Sequence, residues 1–342
     1  MSDIVVATFS SAKYSQYFNR KFLTTAKEEL CLAKYAEKEQ LPKEAGTLTM
    51  RMFKRSIGTA STVTEVTTEG QALTANNATI TPKDVVLKQY YDMSKISTRA
   101  NLIEIFSNIE KETARQGEAA AAFVETQLRD AIRDTNGNGG AQTANRFYAQ
   151  GAASFAALNT AGYTSGKLIC KDVKTLVTCL KDNKAPKLKL TSEDGKLSWE
   201  GYIVVVSVKG ASDLQDDPDW KGLCQHSRPE LIQKGEVGQW AGAKIIETTL
   251  PFIEDGGGTE NTYVAAPSAG RTIHVALGFG KEAFGAADLA TAGSAMAPKV
   301  VVLDKRDKSD PINQWIMIVW DAYFGKLVLD QAWVAIMKHV VA

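Results

Sequence analysis

The sequence predicts an α+β fold, and three features of the chain predict it. A threonine- and valine-rich stretch over residues 47–91 alternates in the manner of β-strands, and residues 98–135 have long helical periodicity. Beyond Gly140, helical and strand patterns are mixed. The chain has 342 residues, of which 44% are hydrophobic, so it can bury a large core in two domains or one elaborate domain.

The charge balance and the apolar runs limit the classes of protein. Forty basic residues stand against 39 acidic ones, a formal charge of +1, so no overall field attracts the chain to nucleic acid or to an anionic membrane. The first twenty residues lack the basic start and apolar stretch of a signal peptide. The longest apolar run, residues 315–320, is far shorter than the roughly 20 residues of a membrane helix. We therefore expect a soluble protein with no membrane partner.

Residues 1–46 are predicted to form an N-terminal arm and a helix. Residues 1–14 have no clear period and look like an arm, which needs a surface to lie on. Residues 15–40 place apolar side chains at helical spacing with charges between them, which predicts an amphipathic helix ending before Leu41 and Pro42. The candidate contacts of this segment with another subunit are Tyr14, Tyr17 and Phe18.

Residues 47–92 are predicted to form a long β-hairpin with a loose tip. Leu48, Met50 and Met52 alternate with more polar neighbours, and Gly70 supplies a turn residue. The middle of the stretch, residues 59–81, has little apolar surface, and a two-stranded hairpin alone is marginally stable in water. Its order must come from another part of the chain or from another copy. The candidate inter-subunit contacts are Thr62, Val63, Glu65, Val66 and Glu69.

Residues 98–135 are predicted to form one long helix. Apolar residues recur every three to four positions, Ser97 or Thr98 can cap the start, and Asn136 with Gly137 ends it. Such a helix would be more than about 50 Å long, whereas globular helices average about three or four turns.

The rest of the chain is predicted to alternate between helices and strands. Helices are expected over residues 171–184 and within 216–225. Strands are expected over 202–207, 243–251, 272–279 and 298–304, followed by a closing pair over 312–330 and 331–339.

One motif raises the possibility of an oxidoreductase. Gly278, Gly280 and Ala283 follow a predicted strand in the spacing of a dinucleotide-binding loop, and Asp304 lies roughly twenty residues further on. The following residues predict only a short helix interrupted by glycine, whereas a phosphate site needs a firm helix N-terminus. We therefore favour a plain strand-to-helix turn.

Other candidate sites are weaker still. The stretch that begins at Asp134 fits the first half of a calcium loop, but its twelfth position is Asn145 rather than glutamate. Cys224 and His226 lack a second pair of metal ligands, and the four cysteines, Cys31, Cys170, Cys179 and Cys224, show no regular spacing. The sequence therefore predicts no catalytic residue, no metal and no cofactor, and the protein is not expected to be an enzyme.

Three glycines, Gly235, Gly238 and Gly242, fall in one predicted loop between a helix and an alternating strand. Gly235 follows a suitable helix end with a lysine in its last turn, and Glu236 would be an odd neighbour for a phosphate. We interpret the three glycines as structural hinges rather than as a ligand cradle.

The order of these parts resembles a known family. The segments GEVGQWAGAKIIETTLP (235–251), HVALGFGKEAFG (274–285) and DPINQWIMIVWDAYFGKLVLDQAWVAIMKH (310–339) are similar to segments of the major capsid proteins of tailed bacteriophages. These share the Hong Kong 97-type fold with herpesvirus floor domains and encapsulins. The resemblance covers nearly the whole chain, and the nearest subgroup is the coat proteins of short-tailed phages resembling coliphage N-four.

The resemblance implies a domain plan. It divides the chain into an N-terminal arm and helix (1–46), an extended hairpin loop (47–92), a peripheral domain with a spine helix (93–170), an axial domain (171–310) and closing strands that return to the peripheral domain (311–342).

It also implies a function and partners. Copies of the chain would form hexamers and pentamers of an icosahedral head that encloses double-stranded DNA without sequence-specific binding, assembled in the host cytoplasm and located in the virion. Because no long charged helical pro-segment precedes the arm, a separate scaffolding protein is expected, with a portal protein and room for a decoration protein. The alternatives are an encapsulin-like compartment and, from a different class, the dinucleotide-binding oxidoreductase.

Overall fold

Two β-sheets, a separate hairpin and one long helix organise the chain. The computed structural model describes residues 31–42, 46–55, 65, 80–103, 108–133, 145–160, 163–191, 197–224, 236–289, 299–303 and 312–341. The strands are β1 (Glu37–Leu41), β2 (Thr49–Arg55), β3 (Ile80–Val86), β4 (Lys88–Ser97), β5 (Arg146–Tyr148), β6 (Leu188–Thr191), β7 (Leu197–Ser207), β8 (Glu236–Trp240), β9 (Ala243–Thr248), β10 (Phe252–Asp255), β11 (Thr272–Phe279), β12 (Phe284–Leu289), β13 (Lys299–Leu303), β14 (Trp315–Val328) and β15 (Val334–Val340).

The helices of the described residues are mostly short. They are α1 (Thr98–Ile103), α2 (Asn108–Arg133), α3 (Phe155–Thr160), α4 (Tyr163–Gly166), α5 (Cys170–Asp182), α6 (Val208–Gln215) and α7 (Pro218–Cys224), with 3-10 turns at Leu32–Lys34, Ala149–Gly151 and Gln331–Trp333. A search of these helices finds none that is long and apolar enough to cross a membrane.

The larger sheet contains most of the core. Its eight strands follow the order β5-β15-β11-β7-β9-β8, with β10 beside β11 and β6 beside β7. The run Tyr202–Val206 of β7 is buried throughout, as expected for a strand covered on both faces. Helix α5 packs its apolar side, which includes Val173, Leu176 and Leu180, against this core. The predicted helix over 171–184 and the predicted strands of this region are confirmed.

The smaller sheet is built around β14, which has 14 residues and contacts strands on both of its sides. It pairs with β4 and β13 in its first part and with β12 in its second, while β1 joins β12 in parallel. The long helix α2 lies against this sheet, where Phe123 contacts the rings of Tyr90 and Trp320 at centroid distances of 4.6 and 6.0 Å.

The predicted long helix is recovered over its main part. Helix α2 has 26 residues and is therefore about 39 Å long. Its buried side chains include Ala120, Val124, Leu128 and Ile132, which follow the predicted helical spacing. Helix α1 occupies the predicted start, and residues 104–107 and 134–135 of the predicted element lie outside the described residues.

The predicted helix over 15–40 is wrong in its last part. Residues 32–34 form a 3-10 turn and residues 37–41 form strand β1. The backbone N–H groups of Leu32 and Ala33 donate to the buried carboxylate of Glu125 at 2.9 and 3.1 Å, and β1 then pairs with β12. These contacts with distant residues outweigh the local helical spacing. Residues 15–30 lie outside the described part.

The closing strands occur where the sequence predicts them, in two different sheets. Strand β14 belongs to the smaller sheet, whereas β15 lies between β5 and β11 in the larger sheet. Strands from the predicted axial region, β7, β9 and β11, are thus in one sheet with β15 and with β5. The proposed division into domains remains a prediction.

Candidate assembly surfaces

The predicted hairpin is present, and it has two different faces. Strands β2 and β3 are antiparallel and in regular register from Thr49 opposite Val86 to Arg55 opposite Ile80. Because side chains alternate between the faces of a strand, Met52 and Val85 share the inner face, whereas Phe53 and Val86 share the outer face. The inner side chains are buried, while Phe53 is 60% exposed.

The inner face anchors the hairpin to the smaller sheet at two glycines. A side chain at Gly285 of β12 would meet Met52 at 2.7 Å, and a side chain at Gly325 of β14 would meet Val85 at 2.4 Å. These glycines therefore allow the hairpin root to approach the sheet closely. The resulting cluster of buried residues is Leu41, Met52, Val85, Leu87, Ala287, Leu327 and Leu329.

Polar contacts reinforce the same root. The Lys83 amine donates to the carbonyl of Val328 at 3.0 Å, and Lys54 forms an ion pair with Asp330. Burial lowers the pKa of Lys83, with the positive charge of Lys54 acting in the same direction. The root is thus fixed to the body of the chain by both apolar and polar contacts.

The outer face of the hairpin has no cover in the described part of the chain. Its exposed apolar residues are Phe53, Ile80, Pro82 and Val86. Between them Arg51 and Asp84 form an ion pair with Nε and Oδ1 2.6 Å apart. The hydrogen bond from Arg51 holds the pKa of Asp84 below its usual value. Both side chains of this pair are exposed on the surface, so the pair adds little stability to an isolated hairpin.

A second uncovered apolar surface lies on the smaller sheet. One face of β14, with Ile316, Ile318 and Trp320, is buried against the long helix α2. The opposite face is formed by alternate residues of three neighbouring strands, and no other described element covers it. We call it the outer sheet face; its members are Tyr91, Met93, Val301, Leu303, Trp315, Met317 and Val319.

The exposure of this outer sheet face is large for apolar side chains. Tyr91 is 74% exposed, Leu303 49%, Trp315 45% and Met93 44%. Large contiguous apolar patches on a folded protein mark contact surfaces. The sequence did not indicate this surface, because residues 315–320 are continuously apolar, a pattern that is typical of a strand buried on both faces.

The predicted contact residues at the hairpin tip and in the arm are mostly beyond the described part. Glu65 is exposed. Thr62, Val63, Val66, Glu69, Tyr14, Tyr17 and Phe18 lie outside the described residues, so their role as inter-subunit contacts remains a prediction.

The three glycines of residues 235–242 are not in one loop. Gly238 lies inside strand β8, where a side chain would meet the ring of Trp220 at 2.7 Å. Gly242 has φ of +90° and follows Ala241, with φ of +53°, in the two-residue turn between β8 and β9. Gly235 lies outside the described residues. The loop prediction is therefore wrong at Gly238, because these residues form a β-hairpin.

The candidate dinucleotide loop is contradicted by the structure. Gly278 is a buried member of strand β11, opposite Val204 and Ala335. A side chain at Gly280 would meet the carbonyl of Pro186 at 2.7 Å. After Ala283 the chain continues into strand β12, so the predicted short helix is wrong and there is no helix N-terminus there to hold a phosphate. Asp304 lies outside the described residues.

The remaining candidate sites offer no chemistry in the described residues. Asn145 donates to the carbonyls of Gln331, Ala332 and Val334, so it holds the turn before β15. Burial raises the pKa of the Cys31 and Cys170 thiols to about 12, so neither is a nucleophile near neutral pH. The described residues contain no group of three side chains that could hold a metal. The side chains of Cys224, His226 and Asp134 lie outside this part.

The architecture matches solved capsid structures. A chain of the capsid of Ralstonia phage GP4 is 12% identical, with a TM-score of 0.64 over 92% of each chain. A chain of the capsid of cyanophage Pam1 is 14% identical, with a TM-score of 0.61 over 91% of this chain and 92% of that one. The SrpI encapsulin of Synechococcus elongatus is 9% identical, with a TM-score of 0.52 over 91% of this chain and 87% of that one.

These likenesses show the fold. No family model matches the sequence, and no curated protein does. The α+β fold of Hong Kong 97 type that the sequence predicts is confirmed over nearly the whole chain.

Proposed function

We propose that the chain is the major capsid protein of a tailed bacteriophage, a subunit that forms hexamers and pentamers of an icosahedral head around double-stranded DNA. The observation that carries the proposal is that a chain with a capsid-type fold has two apolar surfaces that no other described part of it covers, the outer face of the hairpin and the outer sheet face. A subunit that functions alone has no use for both, because exposed apolar patches of this kind promote association.

The proposed mechanism is mutual covering. The hairpin of one copy lies on a neighbour, so that side chains such as Phe53 and Val86 lose their contact with water in the assembly. Complete burial of one large apolar side chain contributes roughly 1.5–3 kcal/mol, so a few such contacts at each interface are enough to couple subunits. The stability of each copy then depends on the concentration of the others.

The near-neutral charge fits a wall that encloses DNA. A formal charge of +1 supplies no strong general attraction to the genome, so the subunit as a whole is not drawn to DNA by its net charge.

The partners and the subgroup belong to the same proposal. We infer a separate scaffolding protein, a portal protein and room for a decoration protein, with assembly in the bacterial cytoplasm and the virion as the final location. The division into arm, extended hairpin, peripheral domain, axial domain and closing strands is part of it, as are the tip and arm contacts. So is the nearer relation to phages resembling coliphage N-four.

Charge substitutions on the outer sheet face test the proposal. In the Met93→Glu, Trp315→Glu variant, a neighbour would have to bury two unpaired carboxylates, which is strongly unfavourable. We expect wild-type chain to form capsomers or shells, seen by light scattering and electron microscopy, and this variant to remain monomeric with an unchanged circular dichroism spectrum. The control is Val208→Glu, which places one carboxylate at an apolar residue that is 49% exposed on helix α6, away from both faces. Equal assembly of wild type and double variant would contradict the proposed interface.

A second shell function has specific support. The likeness to the SrpI encapsulin indicates that the same fold can build a compartment that encloses protein. The contents of particles made in the natural host distinguish the two functions. Nuclease-protected DNA in the particles supports the phage head, whereas a packaged enzyme without DNA supports the compartment.

A further inference from the structure

Helix α5 concentrates positive charge in a chain that is nearly neutral overall. Lys171, Lys174 and Lys181 are exposed on this helix, and Lys184 is exposed just after its end. Asp182 is the one exposed acidic residue of the helix, since Asp172 is buried. We call the four lysines the basic helix face.

The packing of the helix directs these lysines away from the protein. The opposite side, with Val173, Leu176 and Leu180, is buried in the core against the larger sheet. The side chains between the lysines are small ones, Thr175 and Thr178. Their hydroxyls donate back to backbone carbonyls of the helix at 3.1 and 2.9 Å. The amines are therefore accessible to a large, flat or rod-shaped partner.

The charge of this face is only partly balanced within the protein, because Asp182 is the one exposed carboxylate on the same helix. Among the residues that the structure describes, none of the four lysines forms an ion pair, whereas Lys187 lies 3.9 Å from Glu200 and Lys281 lies 2.9 Å from Glu282. Lys181 makes only a 3.5 Å contact to the carbonyl of Ala241. Three exposed lysines on the helix and a fourth just after its end outnumber the single exposed carboxylate, Asp182, and such a local excess of positive charge is typical of a site for a polyanion.

The dimensions fit the backbone of a nucleic acid duplex. Lys171 and Lys181 are ten residues apart, about 15 Å along the helix, which is the length of roughly four base pairs. Lys171 and Lys174, together with Asp182, also line an open groove of about 520 Å³ beside the edge strand β5. Ammonium groups act as point charges that bind phosphate without requiring a fixed orientation.

We propose that the basic helix face binds the phosphate backbone of double-stranded DNA, without reading its sequence, and that this side of the subunit faces the inside of the shell. The proposal rests on the proposed function, and it assigns the contact with the enclosed DNA to one helix. It agrees with the overall neutrality, since a few local contacts position DNA without a strong general attraction.

The test compares two variants with the same change in net charge. The first variant removes the four charges of the basic helix face with the substitutions Lys171→Gln, Lys174→Gln, Lys181→Gln and Lys184→Gln. The control replaces four exposed lysines elsewhere, with the substitutions Lys38→Gln, Lys88→Gln, Lys189→Gln and Lys221→Gln. Fluorescence anisotropy measures binding of the full chains to two DNA duplexes of unrelated sequence over a salt series, at dilutions where light scattering shows no closed particles.

We expect wild type and control to bind with similar affinity and to make no distinction between the two duplexes. The affinity of both proteins should fall as salt rises. Loss of four phosphate contacts should weaken binding by at least about tenfold and make the slope of log K against log salt shallower by about 3 to 4. An equal effect in both variants, or no effect in either, would overturn the proposal.

Particle formation, followed in parallel by electron microscopy, separates this proposal from the shell function. Particles without DNA binding by the wild-type subunits would refute the basic helix face and leave the shell standing. A first variant that binds DNA normally but no longer assembles would show that the face contacts protein, which would also refute the proposal. Normal DNA binding with no particles under any condition would refute the shell.

Discussion

Ala241 has a left-handed backbone conformation that alanine adopts only at a cost. Its φ is +53°, and it occupies the first position of the two-residue turn between β8 and β9, with Gly242 at φ of +90° in the second. Two successive positive φ angles are the geometry that Asn-Gly supplies best in hairpins. The turn is therefore built with one favourable and one unfavourable residue.

We predict that Ala241→Asn stabilises the protein. Asparagine tolerates the left-handed region, so the substitution should raise the free energy of unfolding by roughly 0.5–1 kcal/mol. Urea denaturation of the unassembled chain measures this difference. Ala156→Asn, at an exposed position of helix α3, is the matched control and should lower stability instead. A lower stability of Ala241→Asn would show that the turn does not have this conformation.

Two buried histidines face each other across β11 and β15. The rings of His274 and His339 have centroids 6.1 Å apart, and both side chains are buried. Burial, and the positive charge of Lys209, lower the pKa of His274 to about 4. Burial lowers the pKa of His339 to about 3, with His274 contributing. The folded protein therefore keeps both rings neutral at pH values where the unfolded chain is protonated.

We predict that this pair lowers stability as pH falls from about 6.5 toward 3 to 4. In that window the unfolded chain binds protons that the folded chain does not, so the free energy of unfolding decreases with decreasing pH. A His274→Phe, His339→Phe variant should lose this part of the dependence. The measurement is the difference in the free energy of unfolding between wild type and variant at each pH. This difference is needed because buried carboxyls such as Asp172, whose pKa burial raises to about 6, increase stability as pH falls. Parallel stability profiles of the two proteins would contradict the prediction.

At the scale of elements, the hairpin separates folding from assembly. Its inner face packs on the body through Met52, which is 1% exposed, whereas the adjacent Phe53 is 60% exposed. Neighbouring residues of one strand thus serve different surfaces, because successive side chains point to opposite faces.

We predict opposite effects for two adjacent alanine substitutions. Met52→Ala should remove a buried side chain at the hairpin root, cost roughly 2–5 kcal/mol and increase hydrogen exchange of the β3 amides in the unassembled chain. Phe53→Ala should leave this exchange unchanged and weaken particle formation. If Phe53→Ala increased exchange as much as Met52→Ala, the outer face would be packed within the chain and unavailable to a neighbour.

The elements differ in how well the sequence predicts them. The hairpin, the main part of α2 and the strands around β7, β11 and β14 follow from local periodicity. Strand β12 does not follow from local periodicity, because its alanines favour a helix and only the pairing with β1 and β14 makes it a strand. Strand β1 likewise depends on partners far away in the sequence. The outer sheet face could not be predicted, because periodicity shows that a side chain is apolar but not whether anything covers it.

At the scale of the whole molecule, the apolar surface is incompletely buried. The chain buries a continuous core around the larger sheet yet leaves apolar residues of β2, β3, β4, β13 and β14 exposed. It also places a cluster of exposed lysines on a separate helix. Association through the apolar faces and DNA contact through the basic helix face can therefore occur on different parts of one subunit.

Electron cryomicroscopy of the purified wild-type chain, over a range of concentrations, tests the central claim most directly. We predict rings of five or six copies, tubes or closed shells, with the hairpin of each copy lying over a neighbour and the outer sheet face covered. A uniform monomer at every concentration, with or without lysate from the natural host, would contradict the claim that this chain builds a shell.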